Sequence, residues 1–193
     1  MKFFIFLSLF ITLSLAQAAR LEISNTTIVK AERWNQLQAI FYQNDGSSQD
    51  VTIDTEFTAS GYQESNNGNF YFSLPTFNSG TSFMVPVQAF YLGDDGVSYH
   101  ASTLINVDAN PDWLQITGSY FVNSGWSQTY TAYGIYGGKR VDLSRQGQWS
   151  AFRGHINGWG TYYAPKITQG QTITDTITFR FGFRTERMTI TIR

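Results

Sequence analysis

The chain has 193 residues, a formal net charge of −1 and no cysteine. Only 14% of its residues are charged, which excludes the basic surface that a nucleic-acid-binding protein needs to displace counterions from phosphates. The lack of cysteine excludes disulfide bonds, thiolate metal sites and cysteine nucleophiles. An aromatic content of 17%, together with 17 glycines, favours a compact β protein over a disordered chain.

The first 18 residues have the three parts of a secretory signal peptide. Lys2 supplies the basic start, residues 3–15 form a short apolar run, and residues 16–18 (AQA) match a small-residue cleavage site. The apolar run is too short for a comfortable membrane span. We therefore expect residues 1–18 to be a cleaved signal peptide, and residues 19–193 to be a secreted single domain with one core.

Short stretches of alternating apolar and polar residues follow along the mature chain. Residues 34–43 alternate in this way, and Asn44-Asp45-Gly46 suits a tight hairpin turn before a returning strand at residues 51–57. Asn25-Thr26-Thr27 is either a glycosylation sequon or a plain turn. Further strands are predicted at residues 21–23, 28–29, 70–72, 83–92, 100–107, 113–122, 171–183 and 188–192.

One short helix is predicted, at residues 142–148. Asp142 suits its N-cap, and Gly147 limits it to about two turns. About nine or ten strands with a single short helix predict an all-β fold, a two-sheet β-sandwich. The strongest strand patterns predict five largely buried side chains: Trp34, Leu37, Phe41, Phe90 and Ile177.

The sequence offers little catalytic or metal-binding chemistry. His100 and His155 lack the i, i+4 spacing of a helical metal motif. Residues 94–96 (DDG) lack the alternating ligands and the terminal Glu of an EF-hand loop, which favours a plain turn. We therefore expect no enzyme activity, no cofactor and no metal.

Aromatic residues are densest between residues 119 and 159. This stretch holds three of the five tryptophans, and Gly, Ser and Asn interrupt its rings more than aliphatic residues do. Such rings are typical of a surface that meets a ligand or a membrane interface, although the same rings would also suit a core. We expect one exposed or half-exposed aromatic surface at one end of the sandwich, formed by Trp126, Tyr130, Tyr133 and Trp149.

Several motifs in and before this stretch resemble one family. Residues 135–140 (IYGGKR), 152–154 (FRG) and 157–159 (NGW) are similar to a region of the actinoporins, the sphingomyelin-binding, pore-forming cytolysins of sea anemones. Residues 34–39 (WNQLQA) with Phe41 resemble an early strand of that family. The resemblance covers about residues 20–193 and implies a β-sandwich flanked by small helices.

The resemblance also implies a ligand pocket. Aromatic rings in that family hold a phosphocholine headgroup, because a quaternary ammonium is attracted to π faces. The matching positions here are Ser119, Trp126 and Tyr130, and Trp149 would supply another ring. The residue at 127 is serine where the family has a headgroup tyrosine, so the pocket would survive only in altered form.

The pore-forming part of that family has no counterpart here. Actinoporins insert an amphipathic helix that lies before the sandwich, whereas nothing between Ala19 and Trp34 offers an uninterrupted apolar face. The leading hypothesis is therefore a secreted module that binds membrane lipid headgroups of the phosphocholine type through its aromatic surface. Cytolysis stays an open alternative, although we predict binding without permeabilisation of the membrane. Two alternatives stay open: a carbohydrate-binding lectin, and a self-assembling extracellular structural protein that pairs through exposed strand edges.

Overall fold

The computed structural model describes residues 18–25, 28–65, 67–75 and 81–193. The predicted signal peptide lies outside the described residues except for Ala18, and so does most of the Asn25 sequon. No helix in the described part of the chain is long and apolar enough to cross a membrane. A short 3-10 helix at Thr52–Asp54 is the one helix that the described residues contain.

The first half of the chain forms two facing sheets. The strand β2 is central to one sheet, of order β1-β2-β6-β5 with β3 also paired to β2, and the other sheet has the order β4-β7-β8. The strands are β1 (Arg20–Asn25), β2 (Trp34–Tyr42), β3 (Ser48–Asp50), β4 (Thr55–Thr58), β5 (Gln63–Ser65), β6 (Asn69–Tyr71), β7 (Ser82–Leu92) and β8 (Ser98–Asp108).

The second half contributes three more sheets, of order β10-β18-β17-β14, β11-β16-β15 and β13-β12-β9. All of their ladders are antiparallel except the short pairing of β10 with β18. The strands are β9 (Trp113–Thr117), β10 (Phe121–Val122), β11 (Ser127–Thr129), β12 (Thr131–Tyr136), β13 (Lys139–Asp142), β14 (Gln148–Ala151), β15 (His155–Ile156), β16 (Thr161–Tyr163), β17 (Ile173–Phe181) and β18 (Arg184–Ile192).

Each half buries its own hydrophobic side chains. Residues 21–107 form one buried cluster that includes Leu37 and Val87, and residues 114–192 form two clusters that meet at β17. The alternation of β17 explains this position, since Ile177 and Phe179 point inward while the intervening threonines point outward. We expected one core across residues 19–193, whereas the buried side chains form separate clusters on either side of residue 110, and the partly buried Leu74 packs against clusters of both halves.

A short segment after β8 joins the halves. The buried hydroxyl of Tyr136 donates a hydrogen bond to the carbonyl of Ala109 at 2.9 Å. The guanidinium of Arg33 donates to the Asp112 carboxylate at 2.6 Å, an ion pair between the first half and the start of the second. These contacts fix the second half against the first.

The prediction of an all-β fold is confirmed. The described residues contain 18 strands in five sheets, where the sequence predicted about nine or ten strands in two sheets. Six of the additional strands, β11–β16, lie in a region where no strand was predicted. Leu37, Phe41 and Ile177 are buried as predicted. The prediction for Trp34 is wrong: its side chain is 51% exposed, because the inward positions of β2 begin with Asn35.

Two predicted elements are also wrong. Residues 143–147 form a turn between β13 and β14 rather than a helix, because Asp142 still pairs with Tyr133 in β12 and Gln148 already pairs with β17. The strand predicted at residues 51–57 contains the 3-10 helix, after which β4 joins the other sheet by pairing with β7. Phe90 is half-buried on the outer face of β7, where its ring packs against His100.

Candidate ligand-binding groove

A groove of about 560 Å³ opens on the surface of the second half. This volume lies within the range that binds small molecules in proteins, and such sites combine apolar rings with a few directed polar groups. The groove has that composition: it is lined by Thr129, Tyr130, Thr131, Asp142, Ser144, Arg145, Gln146, Trp159 and Thr161.

Trp159 provides the exposed ring of the groove. It lies in the tight turn between β15 and β16, and its side chain is 68% exposed. The Asn157 side chain fixes this turn, since its Oδ1 accepts hydrogen bonds from the backbone N–H groups of Trp159 and Thr161, each at 3.0 Å. The indole is therefore displayed on a rigid hairpin.

The turn is packed closely onto the residues beneath it. Gly160 has φ of +80°, and a Cβ at this position would lie 2.2 Å from the carbonyl oxygen of Tyr130. The backbone N–H of Tyr130 donates to the carbonyl of Gly160 at 2.8 Å. Only glycine allows both the left-handed backbone and this close approach. Gly160 therefore fixes the position of the turn, and with it the position of the Trp159 indole at the groove.

The opposite wall is the turn between β13 and β14. Ser144 holds it in place, because its hydroxyl accepts a hydrogen bond from the Ala132 backbone at 2.9 Å and its backbone N–H donates to Asp142 at 2.9 Å. Arg145 follows, and its guanidinium carbon lies 5.4 Å from the centre of the Trp159 ring. This distance is in the range of a cation–π contact, so a positive charge already lies beside the exposed ring.

Two of the sequence-predicted residues lie beneath the groove. Tyr130 is only 1% exposed, and its hydroxyl donates to the Ser119 carbonyl at 2.7 Å. Burial raises the pKa of the Tyr130 hydroxyl to about 12. Trp149 is half-buried against Phe179, and its indole N–H donates to the carbonyl of Ser144 at 2.9 Å. Both rings therefore pack beneath the groove, and neither offers a large exposed surface to a ligand.

The other three predicted residues do not line the groove. Ser119 uses its hydroxyl locally, donating to the carbonyl of Phe121 at 2.7 Å. Tyr133 lies half-buried on β12, with the guanidinium of Arg140 3.6 Å from its ring centre. Trp126 is exposed in the turn that precedes β11. The structure therefore does not bring the five predicted residues into one aromatic surface.

Three residues that line the groove lie outside the set predicted from the sequence. Trp159, Arg145 and Thr161 were not among the predicted site residues. A signal was present, because Asn and Gly before an aromatic residue are typical of a hairpin tip that displays a ring. Arg145 carried no such signal, since the turn that positions it was predicted to be helical.

The described side chains offer no evident centre for metal chemistry. Within residues 18–25, 28–65, 67–75 and 81–193, no group of three or more His, Asp and Glu side chains could hold a metal ion. The groove itself contains one carboxylate and one guanidinium, at Asp142 and Arg145. These two side chains can form hydrogen bonds and ion pairs with a ligand.

No protein-family model matches this chain, and no curated protein matches it. Similar solved structures include protocadherin gamma B2 cadherin domains 3–6, with 12% identity over 91% of this chain and 49% of that chain, at a TM-score of 0.33. Drosophila OTK extracellular domains 3–5 have 8% identity over 90% and 61%, at a TM-score of 0.42. The D00-D0 domain of intimin has 11% identity over 90% and 99%, at a TM-score of 0.33.

This chain spans about half the length of the protocadherin chain that it matches. At this level of similarity, none of the three proteins indicates a ligand for it. None of the three is an actinoporin, and the actinoporin resemblance stays a hypothesis.

Proposed function

We propose that this chain is an extracellular recognition module that binds a carbohydrate in the groove around Trp159. The observation that carries the proposal is an indole displayed on a rigid hairpin beside hydroxyl, amide and charged side chains. A sugar ring has an apolar C–H face and a rim of hydroxyls. The indole matches the face, while Asp142, Arg145 and Gln146 match the rim as acceptors and donors.

The charge beside Trp159 disfavours the quaternary ammonium of a phosphocholine headgroup at this ring, whereas it does not repel a neutral sugar. A quaternary ammonium is held by the faces of electron-rich rings, and a cation already beside the ring competes with it. Arg145 occupies that position, 5.4 Å from the Trp159 ring centre. Tyr130 cannot complete an aromatic cage, because it is buried and its hydroxyl is already bonded to Ser119.

Binding of the purified protein to a glycan array, followed by calorimetry with the strongest ligand, tests this proposal. We expect Trp159→Ala to weaken binding about tenfold or more, which corresponds to about 1.4 kcal/mol. Trp113→Ala is the matched control, because Trp113 is also exposed but lies outside the groove, and it should leave the affinity unchanged.

A liposome assay separates the alternatives. Choline-lipid binding that is lost in Trp126→Ala, without any glycan binding, would support the headgroup hypothesis and overturn this proposal. Glycan binding that survives Trp159→Ala would overturn it as well. Binding to neither ligand, together with concentration-dependent assembly, would favour a structural protein.

A further inference from the structure

The outer face of the β11-β16-β15 sheet continues the groove. Thr161 on β16 pairs with Thr129 on β11, and both side chains line the groove. Residues two apart on a strand point to the same side, so Tyr163 shares this face at about 7 Å along the strand from Thr161. The Tyr163 side chain is 48% exposed. A second exposed aromatic ring, on β16, therefore follows the turn that carries Trp159.

The neighbours of Tyr163 support its ring on one side and leave the other side open. On β15, the ring of His155 lies nearly parallel to it, with 6.0 Å between ring centres and 26° between planes. On β11, the residue opposite Tyr163 is Ser127, whose small side chain covers little of the ring. This asymmetry gives Tyr163 a supported orientation and an accessible side.

We infer that Trp159 and Tyr163 are two contact points of one extended site for a linear oligosaccharide, an inference that rests on the proposed carbohydrate-binding function. Tyr163 lies four positions after Trp159, which allows a span of at most about 14 Å. About 7 Å of strand separates Thr161 from Tyr163 alone, so the site extends beyond one sugar ring. The hydroxyls of Thr129 and Thr161 lie on the same face between the two rings and can donate to or accept from the hydroxyls of the sugar.

The strand β16 is extended from Thr161 to Tyr163, and the direction of this strand determines which sugar linkage fits. A β-1,4-linked pyranose chain is an extended ribbon, which can lie along a strand and contact both rings. An α-1,4-linked chain curves, so its second unit leaves the line that joins Trp159 to Tyr163. The ligand class that fits this face is therefore a β-linked oligosaccharide of more than two units.

Calorimetry with three defined series, cello-, chito- and malto-oligosaccharides of two to six units, tests the inference. We expect the affinity for one of the two β-linked series to rise about tenfold between the shortest and the longest members. Tyr163→Ala should abolish this rise and leave the affinity for the disaccharide unchanged, whereas Trp159→Ala should weaken binding at every length. Tyr120→Ala is the control, because Tyr120 is an exposed tyrosine outside this sheet.

The outcomes distinguish this inference from the proposed function. Trp159-dependent binding that does not strengthen with length, or that weakens equally at all lengths in Tyr163→Ala, would overturn the extended site and leave the proposed function standing. Length dependence confined to the malto-oligosaccharides would overturn the assignment to β-linked chains. Absence of binding to all three series and to the glycan array would overturn both proposals. Far-UV circular dichroism verifies that each variant is folded.

Discussion

The ammonium of Lys139 lies 2.6 Å from the buried carboxylate of Glu32, and this ion pair joins the second half of the chain to the first. The same carboxylate accepts hydrogen bonds from the Tyr71 hydroxyl at 2.7 Å and from the Leu74 backbone at 2.8 Å. Burial opposes the negative charge, but these donors and Lys139 outweigh it and lower the pKa of Glu32. The Glu32 carboxylate, in the first half, thus obtains its charged partner from Lys139, a side chain of the second half.

Lys139→Met is expected to destabilise the protein by about 1–2 kcal/mol, because it leaves the Glu32 carboxylate without its charged partner. The loss should be smaller than for a fully buried pair, since the Lys139 side chain is half exposed to solvent. Urea unfolding measures the change. Lys166→Met, at an exposed lysine, should change the free energy of unfolding by less than about 0.5 kcal/mol. Equal effects of the two substitutions would show that the ion pair does not stabilise the junction.

Asp175 is expected to make the stability of the second half fall in acid. Its buried carboxylate accepts hydrogen bonds from the Tyr162 hydroxyl at 2.6 Å and from the backbone N–H groups of Arg153, Gly154 and Thr176 at 2.7–2.8 Å. Burial opposes ionisation, but these four donors lower the pKa of Asp175 below its ordinary value of 3.8.

A carboxylate with a lowered pKa contributes its full stability above the unfolded-state pKa and loses it as the pH falls through the folded-state pKa. We therefore expect the free energy of unfolding to decline below about pH 4. Asp175→Asn should lower the free energy of unfolding by about 1–3 kcal/mol at neutral pH, because the amide NH₂ group would face buried hydrogen-bond donors. The variant should also lose less stability in acid than the unchanged protein. An unchanged acid decline in this variant would assign the pH dependence to other groups.

The longer strands and several of their buried faces could be predicted from the sequence because alternation is a local signal, whereas the short strands β11–β16 were not predicted. The apolar positions of β17 show this signal, but not the reason why the acidic Asp175 is buried among them. The reason lies in Tyr162 and in the backbone of residues 153 and 154, which are distant in sequence. Local patterns carry no information on such partners.

The groove was less predictable for the same reason. Aromatic density indicated the right part of the chain, but it did not distinguish Tyr130, whose ring is buried, from Trp159, whose ring is exposed. Exposure here depends on which strand pairs with which, and on a glycine that lets one backbone approach another at Gly160. The separation of the buried side chains into clusters also depends on which strands pair. Apolar and polar residues alternate in the same way in both halves, so alternation does not show which strands pack together.

Gly160→Ala is expected to weaken carbohydrate binding and to cost about 1–3 kcal/mol of stability, because alanine is strained at this positive φ and its Cβ meets the Tyr130 carbonyl. Calorimetry and urea unfolding measure the two effects. Gly46→Ala is the matched control: φ is +85° at Gly46, but no atom lies within 4 Å of the added Cβ. The Gly46→Ala control measures the effect of backbone strain alone. If both variants lose the same stability and neither changes binding, the packing described for Trp159 is contradicted.

The most direct test of the carbohydrate groove is a titration followed by NMR of the five tryptophan indole N–H signals. The protein is titrated with the strongest ligand from the glycan array, and single Trp→Phe variants assign the signals. We predict that the indole of Trp159 shows the largest chemical-shift change, and that the exposed indoles of Trp34, Trp113 and Trp126 stay unchanged. A largest change at Trp126, with none at Trp159, would contradict the groove as the binding site.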